Sequence, residues 1–153
     1  MFIETSRFGP VEIDADRIVR FKDGILGFPN RKRFALLQTG PDPVFFWLQS
    51  VDEPSLAFVV CDPLAFVPDY QAPVRSDDLD SLGMSCVEDC QVLIIVNKHD
   101  GHLTGNLLGP LVIGARSLLG RQLVLADKRY TTRQPLLSLE SAAARETAVA
   151  RSA

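Results

Sequence analysis

The sequence predicts a mainly β fold: a small, antiparallel, β-barrel-like single domain with one short helix and a poorly ordered C-terminal tail. Three observations predict it. Short apolar runs are separated by Gly, Pro, Asn and Asp turn signals at close spacing, the pattern of an all-β domain. Two runs, Phe45–Ser50 (FFWLQS) and Leu56–Cys61 (LAFVVC), are almost continuously apolar, as strands are when both faces are covered or a barrel closes. One stretch, SDDLDSLGM from Ser76, carries helix signals: Ser76 as N-cap, Asp77 and Asp78 in the first turn, and Gly83 at the end.

The elements follow in order. Phe2–Glu4 and Val11–Ile13 are joined through SRFGP as a first hairpin, and Arg17–Phe21 is a strand whose alternation Ile18 and Val19 interrupt. DGILGFP is a loop or bend, because two glycines and a proline deny it regular structure. Phe34–Gln38 is a short apolar strand, broken by TGPDP. The FFWLQS and LAFVVC strands pair across VDEP. CDPLAFVPDY, from Cys61 to Tyr70, is a stiff apolar corner, with Cys61 and Leu64 expected to point inward. After the helix, Val87–Val96 is the strongest strand and NKHDG its hairpin turn. Leu103–Leu108 and Leu111–Ala115 flank Gly109-Pro110, RSLLG turns the chain into Gln122–Ala126, and Tyr130–Leu137 is a last irregular edge. Residues 1–137 are the expected domain. Residues 138–153 are Ala-rich with little to bury, the composition of a disordered tail or a frayed helix.

A chain of 153 residues suits one domain that buries roughly 70% of its unfolded surface. No apolar run approaches membrane-spanning length, and Met1–Ser6 has no signal-peptide pattern, so the expected location is the cytoplasm, without membrane contact. A formal charge of -3 and a pI of about 5.3 argue against direct nucleic-acid binding, which needs a basic face. The basic run Arg31-Lys32-Arg33 reads as a solvated corner. Three cysteines, Cys61, Cys86 and Cys90, argue against a disulfide framework.

No motif for catalysis emerges. Gly-rich phosphate loops and the GxSxG elbow are absent. Cys86, Cys90, His99 and His102 are the nearest approach to a metal set, but their spacing does not match the common zinc knuckles, so no metal and no cofactor is expected. Asp62 and Asp69 can be drawn as an acid/base pair, and a small β-barrel enzyme or ligand-binding module using them is the alternative reading. An aspartate before proline is more often a turn initiator. What remains is an interaction surface of exposed aromatics and prolines on a rigid scaffold, against the competing reading that the same side chains plug the core.

Several blocks in this order resemble one family: GILGFP (Gly24–Pro29), RFALLQ (Arg33–Gln38), FFWLQS, LAFVVCDPLAFVPDY (Leu56–Tyr70), NLLGPLVIG (Asn106–Gly114) and GRQLVLADKRY (Gly120–Tyr130). Together they resemble the bacterial flagellar assembly factor FliW family over roughly residues 1–137. The resemblance implies a monomeric β-barrel-like protein, not an enzyme, that binds newly made flagellin as a cytoplasmic chaperone. It also implies binding of CsrA, a translational repressor, which relieves repression of flagellin translation.

The candidate residues for partner binding are Asp62, Pro63, Phe66, Asp69, Tyr70, Asp77, Asp78, Asn106, Leu107 and Pro110. Pro63, Phe66, Tyr70, Leu107 and Pro110 are the candidates to receive an amphipathic flagellin helix if they are exposed, with the direction of Phe66 and Tyr70 left open between core and partner. Asp62, Asp69, Asp77 and Asp78 are the complement to basic CsrA. The chain departs from the family pattern at Gly109 and Gly114, where alanine and asparagine are usual, and at Leu64 and Ala65, where aromatics are. The glycine change is expected to loosen a strand, since glycine costs about 0.5–1 kcal/mol there relative to alanine.

Overall fold

The computed structural model of the protein describes residues 1–38 and 44–138. The strands are β1 (Phe2–Thr5), β2 (Gly9–Glu12), β3 (Val19–Phe21), β4 (Arg33–Leu37), β5 (Phe45–Ser50), β6 (Ala57–Cys61), β7 (Cys90–His99), β8 (His102–Gly105), β9 (Leu111–Gly114), β10 (Leu119–Gln122) and β11 (Gln134–Ser138). The single α-helix among the described residues, α1, spans Ser76–Ser81.

The main sheet closes on itself. β3 pairs antiparallel with β4, and β4 to β7 continue as an antiparallel meander. β7 is ten residues long, and its second edge serves two partners. Cys90–Leu93 pairs with β9, while Val96–His99 pairs with β8. β9 pairs with β10, which returns to β3 through Leu119 and Gly120. β3, β4, β5, β6, β7, β9 and β10 therefore form a seven-stranded barrel. The closing β3–β10 pair is parallel, an exception to the antiparallel expectation. β8 and β11 extend from β7 as a flap, and β1–β2 is a separate hairpin.

The continuous apolar runs are explained by covering on both faces. From β6, Phe58 and Val60 enter the barrel core with Phe21, Ile25, Phe34 and Leu48, whereas Val59 and Cys61 face outward into a second cluster with Tyr70, Ile94 and Leu107. β9 divides likewise: Leu111 and Ile113 point in, and Val112 packs outward beneath α1 against Leu82, Met84 and Leu123. Inside the barrel the Phe21 and Phe34 rings meet edge to face at 5.7 Å. Outside, Phe8 of the hairpin meets Trp47 at 5.8 Å, with the Arg7 guanidinium over the same indole.

Several boundaries differ from expectation. Val87–Asp89 forms a 3-10 turn, so the long strand starts at Cys90 and runs through to His99. The turn after it has Asp100 at φ 48 and Gly101 at φ 76, the two left-handed residues that a type I′ hairpin requires. The Leu103–Leu108 strand stops at Gly105, because Asn106–Gly109 turns, with Leu108 N–H donating to Asn106 Oδ1. The last barrel strand is Leu119–Gln122 rather than Gln122–Ala126, because Leu118 at φ 55 makes the turn earlier. The helix is capped at Arg75, not Ser76: Arg75 N–H donates to the Asp78 carboxylate, leaving Ser76 as the first helical residue. The last strand includes Ser138. The TGPDP break at 39–43 and the tail at 139–153 lie outside the described residues.

The basic run 31–33 is not simply solvated. Arg31 pairs with Glu53 and Arg33 with Asp52, both in the turn after β5. The hydrogen bond from Arg33 holds the Asp52 carboxyl below the usual carboxylate range.

Candidate protein-interaction surface

The CDPLAFVPDY corner is mostly a plug. The Asp62 carboxylate accepts from Leu64 N–H at 2.9 Å and caps a 3-10 turn whose first residue, Pro63, is buried. Tyr70 is 6% exposed, and its hydroxyl donates to the Leu107 carbonyl at 2.6 Å. Its ring lies 4.8 Å from that of Tyr130. Burial pushes the Tyr70 hydroxyl upward, with Tyr130 and Asp127 adding to the shift, and it pushes the Cys61 thiol up to about 12, leaving it inert at neutral pH. Tyr70→Phe removes a buried hydrogen bond and strands the Leu107 carbonyl. It should cost about 1–3 kcal/mol in denaturant unfolding.

The choice of Pro63, Leu107 and Pro110 as exposed contacts is therefore corrected, and the direction of Tyr70, open in the sequence, is inward. All are buried, Leu107 completely, because the corner and the 106–110 turn fold onto the outer face of β6 and β7. Phe66 is half-buried, stacked on Phe45 at 5.8 Å. Leu64, expected inward, is 52% exposed. Asp62, Asp69 and Asp77 are exposed. Asp78 is engaged within the chain: besides Arg75 N–H it pairs with Arg121 at 3.3 Å, and its side chain is only 13% exposed. Asn106 is half-buried and holds its own turn.

The metal candidates are separated. Cys86 and Cys90 stand at one end of β7 and His99 and His102 at the other, about 30 Å apart at strand rise. The Cys86 thiol donates to Asp89, and His99 meets Asp100 and Arg133. No cluster able to hold a metal occurs among the described residues.

The glycines that depart from the family pattern are tightly packed rather than loose. A Cβ at Gly114 would strike the Ser117 hydroxyl and lie 2.9 Å from Met84. A Cβ at Gly109 would lie 2.9 Å from the amide nitrogens of both Asn106 and Gln122.

Met1, Phe2 and Val87 are exposed singly, and an exposed apolar pair, Leu26 with Val124, borders the GILGFP turn. Ile25 inserts into the barrel core, 2% exposed, while Leu26 beside it is 72% exposed. The turn is tightly built. Phe28 N–H donates to the Ile25 carbonyl at 2.6 Å, Ile25 N–H donates back at 3.3 Å, and Gly27 sits at φ 90. Phe28 packs edge to face on Phe58 at 5.5 Å. A groove of about 430 Å3 separates this turn from β10 and from Ser81 of α1, and the exposed side chains of Leu26 and Val124 (77%) border it.

β10 organises the surroundings of that groove. Gly120 admits the Phe21 ring, which a Cβ would meet at 2.6 Å. Arg121 reaches α1 through Asp78 and Ser81. Gln122 accepts from Leu26 N–H at 2.7 Å and donates to the Gly109 carbonyl at 3.0 Å. Sequence reasoning passed over Leu26, Val124 and Gln122. The available signal for Leu26 was two adjacent aliphatics between Gly24 and Gly27, since successive residues of so short a turn point to different sides.

The sequence model of the family described as FliW protein matches residues 2–136. The chain is 39% identical over 140 residues to the flagellar assembly factor FliW of Magnetococcus marinus, covering 90% of this chain and 85% of that one. It is 35% identical over 140 residues to that of Bdellovibrio bacteriovorus, covering 90% and 80%. A crystal structure of the flagellar assembly factor FliW superposes with a TM-score of 0.81 at 35% identity, covering 90% of this chain and 97% of the other.

Proposed function

The chain belongs to the FliW family of flagellar assembly factors, and from that membership we propose that it binds newly made flagellin as a cytoplasmic chaperone and, in competition, binds the translational repressor CsrA. Sequestering CsrA relieves repression of flagellin translation. The protein works as a monomer by binding and not by catalysis, with no direct contact to nucleic acid or membrane. No helix among the described residues is long and apolar enough to cross a membrane.

One observation carries the binding reading: Leu26 is held outward on a hydrogen-bonded turn and borders a groove that exposed Val124 also borders. A large aliphatic side chain held out beside an apolar-bordered groove offers a seat to the apolar face of a helix. The groove itself is lined by both signs of charge, Asp23 with Lys22 and Arg121, while Asp77 and Asp80 are exposed on α1. Asp62 and Asp69, with Leu64 and half-buried Phe66, form a second, smaller edge on the corner. The alternative use of Asp62 and Asp69 as an acid/base pair gains no support, since Asp62 is spent on capping.

Size-exclusion chromatography with purified partners tests this. The chain is expected to co-elute with flagellin and with CsrA separately, and excess CsrA should displace flagellin. Co-elution with neither overturns the proposal, and a stable complex of all three overturns the competition.

A further inference from the structure

We propose that Gln122 is the positioning residue of the binding edge, tying the 24–29 turn to the 106–110 turn so that Leu26 is presented in one fixed place. The inference rests on the protein-binding reading above. The Gln122 carboxamide uses both of its ends. Its oxygen accepts from Leu26 N–H at 2.7 Å, and its nitrogen donates to the Gly109 carbonyl at 3.0 Å.

Leu26 N–H has no partner within its own turn, because the turn's two internal hydrogen bonds are made by Ile25 and Phe28. Among the described residues, that amide donates to Gln122. The 106–110 turn is fixed independently, by Leu107 N–H to the Thr131 carbonyl, Asn106 N–H to the Ile95 carbonyl, and Leu123 N–H to the Pro110 carbonyl. Gln122 therefore fastens a protruding turn to an anchored one. Gly109 leaves the space for this, because a Cβ there would approach the Gln122 amide nitrogen to 2.9 Å. Holding a contact residue in its bound position before the partner arrives lowers the ordering cost of association.

The test uses two variants of the full chain. Gln122→Met keeps the length and removes both hydrogen bonds. Gln122→Glu keeps an acceptor for Leu26 N–H and loses the donor to Gly109. For Gln122→Met, amide exchange at Leu26 should be accelerated about five- to tenfold, and flagellin affinity should fall by a similar factor. The melting temperature should stay within a few degrees of the parent. Gln122→Glu should retain the slow exchange at Leu26 and an intermediate affinity.

Unchanged Leu26 exchange and unchanged flagellin affinity in Gln122→Met would overturn the assignment. So would a loss of affinity in Gln122→Met that is matched by a general acceleration of exchange across the barrel strands. Failure of the parent chain itself to bind flagellin sinks the underlying reading instead, and the exchange result at Leu26 still decides whether Gln122 holds the turn.

Discussion

Gly24→Ala lowers the unfolding free energy by about 2–4 kcal/mol and dislodges the turn that carries Leu26. Two costs combine. Gly24 has φ 71, a left-handed conformation that costs an L-residue about 1–2 kcal/mol. The added Cβ would also lie 2.5 Å from the Phe28 carbonyl oxygen, 2.6 Å from Pro29 Cα and 2.7 Å from the Pro29 oxygen. All three are backbone atoms, so no rotamer change relieves the clash and the chain itself must move. Moving it displaces Ile25 from the barrel core, where it is 2% exposed. For a chain of this length the loss corresponds to a fall in melting temperature of roughly 5–15 °C. Gly27→Ala is the control. It has φ 90 and nothing within 4 Å of the added Cβ, so it bears only the conformational cost, about 1–2 kcal/mol. Thermal melts of the two variants side by side check the difference.

The sequence made the barrel legible where local pattern and burial agree. Phe58, Val59, Val60 and Cys61 had to be covered on both faces, and they are, alternate side chains entering the barrel core and the outer cluster. Asp100-Gly101 announced its hairpin because two left-handed residues in succession leave few other turns. Local signals failed where a distant partner decides. Tyr70 is inward because its hydroxyl finds a carbonyl 37 positions along the chain, which no window around CDPLAFVPDY contains. β10 was displaced because Leu118, at φ 55, turns the chain with a residue type that carries no turn signal.

The candidate site was less legible than the fold. Its acidic positions Asp62, Asp69 and Asp77 are on the surface, but Asp78 is consumed by Arg75 and Arg121. Apolar residues chosen for their type are buried for the ordinary reason that a chain this size uses most of its large side chains inside. Leu26 escapes that rule only because Gly24 and Gly27 let a four-residue turn bury Ile25 and project its neighbour. Gln122 was invisible because its partners lie 96 and 13 positions away.

Leu26→Asp separates binding from folding. The side chain is 72% exposed, so the change should alter stability by no more than about 0.5 kcal/mol. If Leu26 is the anchor, an apolar helix face would have to bury a carboxylate against itself. Losing a hot-spot contact of 2 kcal/mol or more corresponds to an affinity loss of about 30-fold or greater. Isothermal titration of flagellin into the parent chain and into Leu26→Asp, with melting temperatures measured on the same samples, is the direct measurement. Flagellin should bind the parent and bind Leu26→Asp at least about 30-fold more weakly at an unchanged melting temperature. Equal affinity for both would contradict the placement of the binding edge on the Gly24–Pro29 turn.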